Sequence, residues 1–174
     1  QGPQSPISVP EDDSRVMAEE ITFDGNGATL IAYTAWPSMN AGGTPEAMPE
    51  ASPVGSTGFP VVLICHENRG LTDHIRDVTR RWAVEGYYAL AVDLLSRDGG
   101  TSAITDSKEI GAMRTRDVDP SRHVGDFQAA VAHLGENPAV DLNRVAMTGF
   151  CFGGGITWRA ATAMPELKAV APYY

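Results

Sequence analysis

Residues 15–23 alternate apolar and polar side chains, the period-two pattern of a half-buried strand. Asp24-Gly25-Asn26-Gly27 is a turn signal, and residues 28–36 resume a strand pattern, so the two segments predict an antiparallel hairpin. The run FPVVLIC at 59–65 is apolar without a break, as a strand buried on both faces requires. Residues 73–85 follow helical spacing, with Ile75, Val78, Trp82 and Ala83 on one side. Thr72 or Asp73 is placed to cap that helix and Gly86 to end it. A second buried strand is predicted at 87–93 and a loop at 94–103. A short helix is predicted from Asp106 to Met113, and a longer one over 119–134 with Pro120 at a helix-start position. A strand at 143–148, a helix at 152–163 and a strand at 167–173 complete the pattern. Strands alternating with helices behind a leading hairpin predict an α/β fold with a mostly parallel sheet.

Between these elements, residues 37–58 are rich in Pro, Gly, Ser, Ala and Met and read as a long surface loop inside one domain. Residues 1–15 read as a flexible N-terminal arm ahead of a single domain over 16–174. Composition is ordinary for a globular chain: 43% of the 174 residues are apolar and 20% charged. No apolar run approaches the ~18 residues of a membrane helix, so no membrane partner is expected. The net charge of −9 argues against a nucleic-acid partner, which needs clustered Lys and Arg. The two cysteines, Cys65 and Cys151, form no CxxC pair, so no zinc framework follows and no metal or organic cofactor is expected. No basic, apolar leader is visible, and compartment stays open between the cytoplasm and export with a signal removed.

The chemistry concentrates in RVAMTGFCFGGGITW, residues 144–158. A predicted strand enters Gly149-Phe150-Cys151-Phe152-Gly153 and a predicted helix leaves it. This G-x-C-x-G is the nucleophile-elbow pattern with cysteine in place of serine. The turn is tight, so the residues two before and two after the nucleophile must be small, and Gly149 and Gly153 are. The turn also lifts the sulfur to the carboxyl edge of the sheet, beside a helix N-terminus whose partial positive charge favours an anion. The backbone N–H of Phe152 is then aimed where an oxyanion would form. The bland alternative is a Gly-rich turn with an incidental cysteine, but the segment lacks dinucleotide spacing and no P-loop lysine follows.

Two further segments fall at the same edge. Cys65-His66-Glu67-Asn68-Arg69-Gly70 follows the first buried strand, where a loop N–H, here that of Asn68, completes an oxyanion hole in α/β-hydrolases. Glu67 would sit within reach of Cys151, where a carboxylate could hold the thiol protonated until substrate displaces it; taken alone, Glu67 and His66 read better as a solvated loop with one polar side chain capping the next helix. Asp93-Leu94-Leu95-Ser96-Arg97 follows the second buried strand. Arg97 is a candidate for gripping a substrate carboxylate through two parallel hydrogen bonds, or else for a surface ion pair, for instance with Asp98.

Together these segments resemble the dienelactone hydrolase family (carboxymethylenebutenolidases), a branch of the α/β-hydrolases. The resemblance is carried by VVLICHENRG at 61–70, GYYALAVDLLSR at 86–97, NRVAMTGFCFGGG at 143–155 and LKAVAPYY at 167–174, in that order. It implies an α/β-hydrolase fold with Cys151 as nucleophile and Glu67 as the carboxylate that controls it. Phe152 and Asn68 become the oxyanion N–H donors, and Arg97, with Arg69, the substrate-binding cations. Asn68 and Arg69 depart from bulkier apolar residues of the family and imply a more polar pocket. The implied activity is hydrolysis of a small ester or lactone carrying a carboxylate. In α/β-hydrolases an acid and a histidine follow the nucleophile. After Cys151 this chain has one acidic residue, Glu166, and no histidine; His66, His74, His123 and His133 all lie upstream. The expectation is that a C-terminal part of the fold, or a second chain, supplies them. The rival expectation is a non-catalytic α/β-hydrolase-like fragment or binding protein, and a weaker one is a thiol redox protein.

Overall fold

The computed structural model describes residues 6–39, 58–106 and 119–174. Among the described residues six strands form one mixed sheet: β1 (Val16–Gly25), β2 (Ala28–Pro37), β3 (Phe59–Cys65), β4 (Tyr88–Asp93), β5 (Val140–Phe150) and β6 (Leu167–Tyr173), in spatial order β1-β2-β4-β3-β5-β6. β1 and β2 pair antiparallel around the Asn26-Gly27 turn, and β2 pairs antiparallel with β4. From β4 onward every pairing is parallel. Among the described residues three helices pack on the sheet: α1 (Asp73–Val84), α2 (Pro120–Leu134) and α3 (Phe152–Ala163). None of the described helices is long and apolar enough to cross a membrane.

The unbroken apolar runs have a direct cause. In β3, Val61, Leu63 and Cys65 face a core that includes Phe127, Ala130 and Leu134 of α2 and Ile156 and Ala160 of α3. Val62 and Ile64, pointing the other way, meet Ile75 and Val78 of α1. β4 divides in the same manner, with Leu90 and Val92 on the first side and Ala89 and Ala91 on the second. A strand covered on both faces has no polar position to alternate with.

The three predicted helices that fall on described residues hold, with small adjustments. Thr72 occupies the N-cap position of α1, yet its hydroxyl makes no capping bond. Asp119 does cap α2, accepting from the Ser121 N–H, with Pro120 directly after it. β5 begins three residues earlier than predicted, because the chain first pairs Val140 and Asp141 with Phe59 and Pro60. It then bulges before Val145 meets Val61. The loop at 94–103 contains two short 3₁₀ turns, Ser96–Asp98 and Thr101–Ala103. Most of the predicted 106–113 helix and of the 37–58 loop lies outside the described residues.

The arm expected over residues 1–15 is fastened from Ser8 onward. The N–H groups of Ser8 and Val9 donate to buried Asp77 of α1, at 3.0 and 2.8 Å. Arg80 Nε donates to the Val9 carbonyl at 2.6 Å and its Nη1 to the Tyr33 hydroxyl at 2.8 Å, so the arm, α1 and β2 share one buried polar cluster.

Candidate active site

Cys151 sits between β5 and α3 at φ 54, ψ −116, a backbone region that residues with a Cβ rarely occupy. The surroundings hold it there. Its N–H donates to the Tyr173 carbonyl of β6 at 3.0 Å, and Phe150 stacks on Tyr173 with ring centroids 5.2 Å apart. The helix start closes on the sheet so tightly that side chains are excluded. A Cβ on Gly149 would collide with the Gly153 carbonyl oxygen and lie 2.5 Å from Thr157 Oγ1. A Cβ on Gly153 would lie 2.5 Å from the carbonyl oxygens of both Cys65 and His66. Gly149 is therefore dictated by the close approach of α3 to β5, and Gly153 by that of α3 to the end of β3.

That contact brings the β3 loop to the Cys151 turn. Cys65 and Gly149 are register partners in parallel strands, so Glu67 and Cys151 each follow a paired position by two residues at the same sheet edge. His66 fixes the loop. Its Nε2 accepts the Leu94 N–H at 3.1 Å and its Nδ1 lies 2.7 Å from the Glu67 carbonyl oxygen. Since Nε2 accepts, Nδ1 carries the proton, and the imidazole is neutral. His66 is buried, contrary to the solvated reading open from sequence. Cys65 is buried too, and burial pushes its thiol up, so it remains a protonated core residue. Cys151 is half-buried.

A narrow cleft opens at this edge, lined among others by Glu67, Asn68, Arg122, His123 and Phe152. The two expected oxyanion donors thus share one recess. Phe152 is the first residue of α3, in the turn whose N–H groups point outward along the helix axis. Asn68 and Arg69 are exposed, and Arg69 does not line the cleft. The Glu67 carboxylate makes no hydrogen bond among the described residues.

The sequence matches the dienelactone hydrolase family over residues 49–174. The chain belongs to the dienelactone hydrolase family. Among proteins similar to it, a provisionally named carboxymethylenebutenolidase of Methylorubrum extorquens is 37% identical, over 88% of this chain and 52% of that protein. Another of Escherichia coli is 34% identical, over 91% and 57%. The crystal structure of a provisionally named dienelactone hydrolase from Klebsiella pneumoniae superposes with a TM-score of 0.73 at 31% identity, covering 91% of this chain and 60% of that one. The chain therefore spans about half the length of the curated relatives it matches. The likeness confirms the α/β-hydrolase-type architecture that the family resemblance implied.

Within this dienelactone hydrolase fold, Arg97 stands differently from the sequence expectation. Its Nη1 and Nη2 donate to the two carboxylate oxygens of Asp126 of α2, both at 2.9 Å, and Nη2 also donates to the Asn26 carbonyl at 2.8 Å. Asn26 Nδ2 closes the group on Asp126 at 2.7 Å and on the Arg122 carbonyl at 2.9 Å. Arg97 is ion-paired, as one sequence alternative held, but to a fully buried carboxylate on α2 and not to neighbouring Asp98. No local pattern announces a partner 29 residues away.

Two features of the edge were not singled out by sequence. Buried Asp93 ends β4 and shapes the following loop, accepting from the N–H groups of Leu95 at 3.0 Å and Thr101 at 2.6 Å, and from Thr101 Oγ1 at 2.9 Å. His123, in the first turns of α2, is buried, with its ring 5.4 Å from that of Phe152 at an 87° interplanar angle. Burial, reinforced by the charge of Arg122, pushes its pKa down to about 4, so His123 is neutral at neutral pH.

Proposed function

We propose that the full-length protein hydrolyses a small lactone or carboxylic ester with Cys151 as nucleophile. The observation that carries this reading is the positive-φ cysteine at the strand-to-helix turn, next to a cleft that Phe152 and Asn68 share. Cys151 Sγ attacks the acyl carbon as its proton passes to a general base. The carbonyl oxygen becomes an oxyanion between the N–H groups of Phe152 and Asn68. Collapse breaks the ester C–O bond, the leaving oxygen takes a proton, and water then hydrolyses the thioester, restoring the thiol. Among the described residues no side chain hydrogen-bonds the Cys151 sulfur, so this reading assigns the base no residue described here. Glu67, at the same sheet edge, is assigned the control of the thiol.

The test is p-nitrophenyl ester hydrolysis by the full-length protein. Cys151→Ala should lower kcat by at least ~10³-fold, as loss of a nucleophile does. Intact mass should show an acyl adduct on the wild type and none on the variant. Undiminished hydrolysis by Cys151→Ala would overturn the assignment of Cys151, and absence of hydrolysis by the wild type would favour the binding-protein alternative.

A further inference from the structure

Asn26 and Gly27 alone make the β1–β2 turn, between the paired residues Gly25 and Ala28. Both have positive φ, 49° and 74°, as a type I′ hairpin turn requires. Of the five asparagines in this sequence, only Asn26 precedes a glycine. That pair is chemically labile, because a residue without a Cβ lets its backbone nitrogen approach the asparagine side-chain carbonyl carbon. Both residues are exposed, so water reaches them. The Asn26 amide nevertheless does not hang free. Its Nδ2 donates to the Arg122 carbonyl at 2.9 Å and to Asp126 Oδ1 at 2.7 Å. Both partners only accept, so it is the nitrogen of the amide that faces α2. The amide rests on Gly125, where a Cβ would come within 2.8 Å of Nδ2.

We propose that Asn26-Gly27 is a deamidation site which the fold holds shut through α2, and whose conversion detaches the hairpin turn from α2 for good. In the reaction the Gly27 nitrogen loses its proton and bonds to Asn26 Cγ, the Cγ–Nδ2 bond breaks, and the amide nitrogen leaves as ammonia. Water then opens the succinimide ring at one of its two carbonyls, giving aspartate or isoaspartate; nothing is oxidised or reduced. The nitrogen that must leave is the one held by Arg122 and Asp126. Conversion therefore proceeds when the turn lifts off α2, at a rate set by the population of that opened state. Aspartate puts an oxygen where the donor stood, facing a carbonyl and a buried carboxylate of like charge. Arg97 already spends both prongs on Asp126. Isoaspartate routes the main chain through Cβ and Cγ. The added carbon must fit a turn so close to α2 that a Cβ on Gly25 would collide with Ala129.

Two measurements on the full-length protein decide this. The first incubates it at fixed pH and temperature, native and unfolded in urea, and follows Asn26 by peptide mapping that separates asparagine, aspartate and isoaspartate. The native chain should convert about tenfold more slowly than the unfolded one, or slower still. Gly125→Ala places a methyl where the amide rests, while alanine favours the helix, so α2 stays folded by circular dichroism. This variant should speed native conversion by about tenfold, the worth of one charge-assisted hydrogen bond, and leave the unfolded rate unchanged. No conversion of Asn26 in the unfolded chain, equal rates in the native and unfolded chains, or no acceleration by Gly125→Ala each overturns the proposal. The second installs the aspartate product directly as Asn26→Asp and follows backbone amide exchange over residues 24–29. Exchange there should quicken by about tenfold, as expected of a turn released from α2. Exchange equal to the wild type overturns the detachment.

Discussion

At the scale of single residues, Gly149, Gly153 and Gly155 look alike in sequence and differ in what a methyl group would meet. At Gly149 and Gly153 the added carbon would run into backbone carbonyls and, at Gly149, also a threonine hydroxyl. At Gly155, on the exposed side of α3, it would meet nothing within 4 Å. Gly153→Ala should therefore cost ~2–4 kcal/mol in urea unfolding, because backbone from two elements must separate to admit it. Gly155→Ala should be neutral or gain up to ~1 kcal/mol from helix propensity. Equal costs at the two positions would mean that the contact of α3 with β3 does not confine the elbow. The requirement for glycine on either side of Cys151 was readable from the G-x-C-x-G pattern. Which atoms enforce it, the carbonyls of Cys65 and His66, was not, because they belong to a strand more than 80 positions away in the chain.

At the scale of elements, the cluster of Asn26, Arg97 and Asp126 joins the β1–β2 turn, the loop after β4 and α2. Its strength comes from geometry: two parallel charge-assisted bonds onto a carboxylate with no solvent exposure. Asp126→Asn keeps the shape and removes the charge. It should destabilise the protein by ~2–3 kcal/mol, below the ~3–5 kcal/mol of a fully buried broken pair because Arg97 remains a fifth exposed. Denaturation with guanidinium, compared with an Arg97→Gln/Asp126→Asn double variant, measures the coupling; strictly additive losses would refute it. The elements themselves were legible. The apolar runs of β3 and β4 announced strands covered on both faces, and the Asn26-Gly27 turn announced the hairpin. The insertion of β4 between β2 and β3 was not legible, since period and propensity describe one strand and say nothing of its neighbours.

At the scale of the whole molecule, His123 couples stability to pH. Its pKa in the fold, about 4, lies below the ordinary value of 6.5 that the unfolded chain recovers. Between these values the unfolded chain binds a proton that the fold excludes, so stability falls as pH drops through that window and is fully present above it. The contribution is ~2–3 kcal/mol across the window. Asp13, Asp119 and Asp141, held low by hydrogen bonds from Arg15, Ser121 and Arg144 respectively, lose their contribution only at more acid pH. Thermal unfolding from pH 7 to pH 4.5 should show a slope that His123→Gln flattens. An unchanged slope in that variant would place the acid sensitivity elsewhere.

What the amino-acid sequence determined by itself was local in origin: the strand and helix periods, the hairpin, the helix start at Pro120, and the elbow at Cys151. Each depends on residues a few positions apart, where spacing alone decides which side chains share a face or a turn. Membership of the dienelactone hydrolase family was also legible, because its motifs are contiguous. The tertiary structure alone decided what each charged side chain at the sheet edge is free to do. Arg97 reads as a substrate clamp until Asp126 is brought to it, and His123 reads as one more helix residue until the cleft forms beside Phe152. The partner of a guanidinium and the burial of an imidazole are long-range facts. They arise when the crossover connections stack separate elements over one sheet, and no spacing along the chain encodes them.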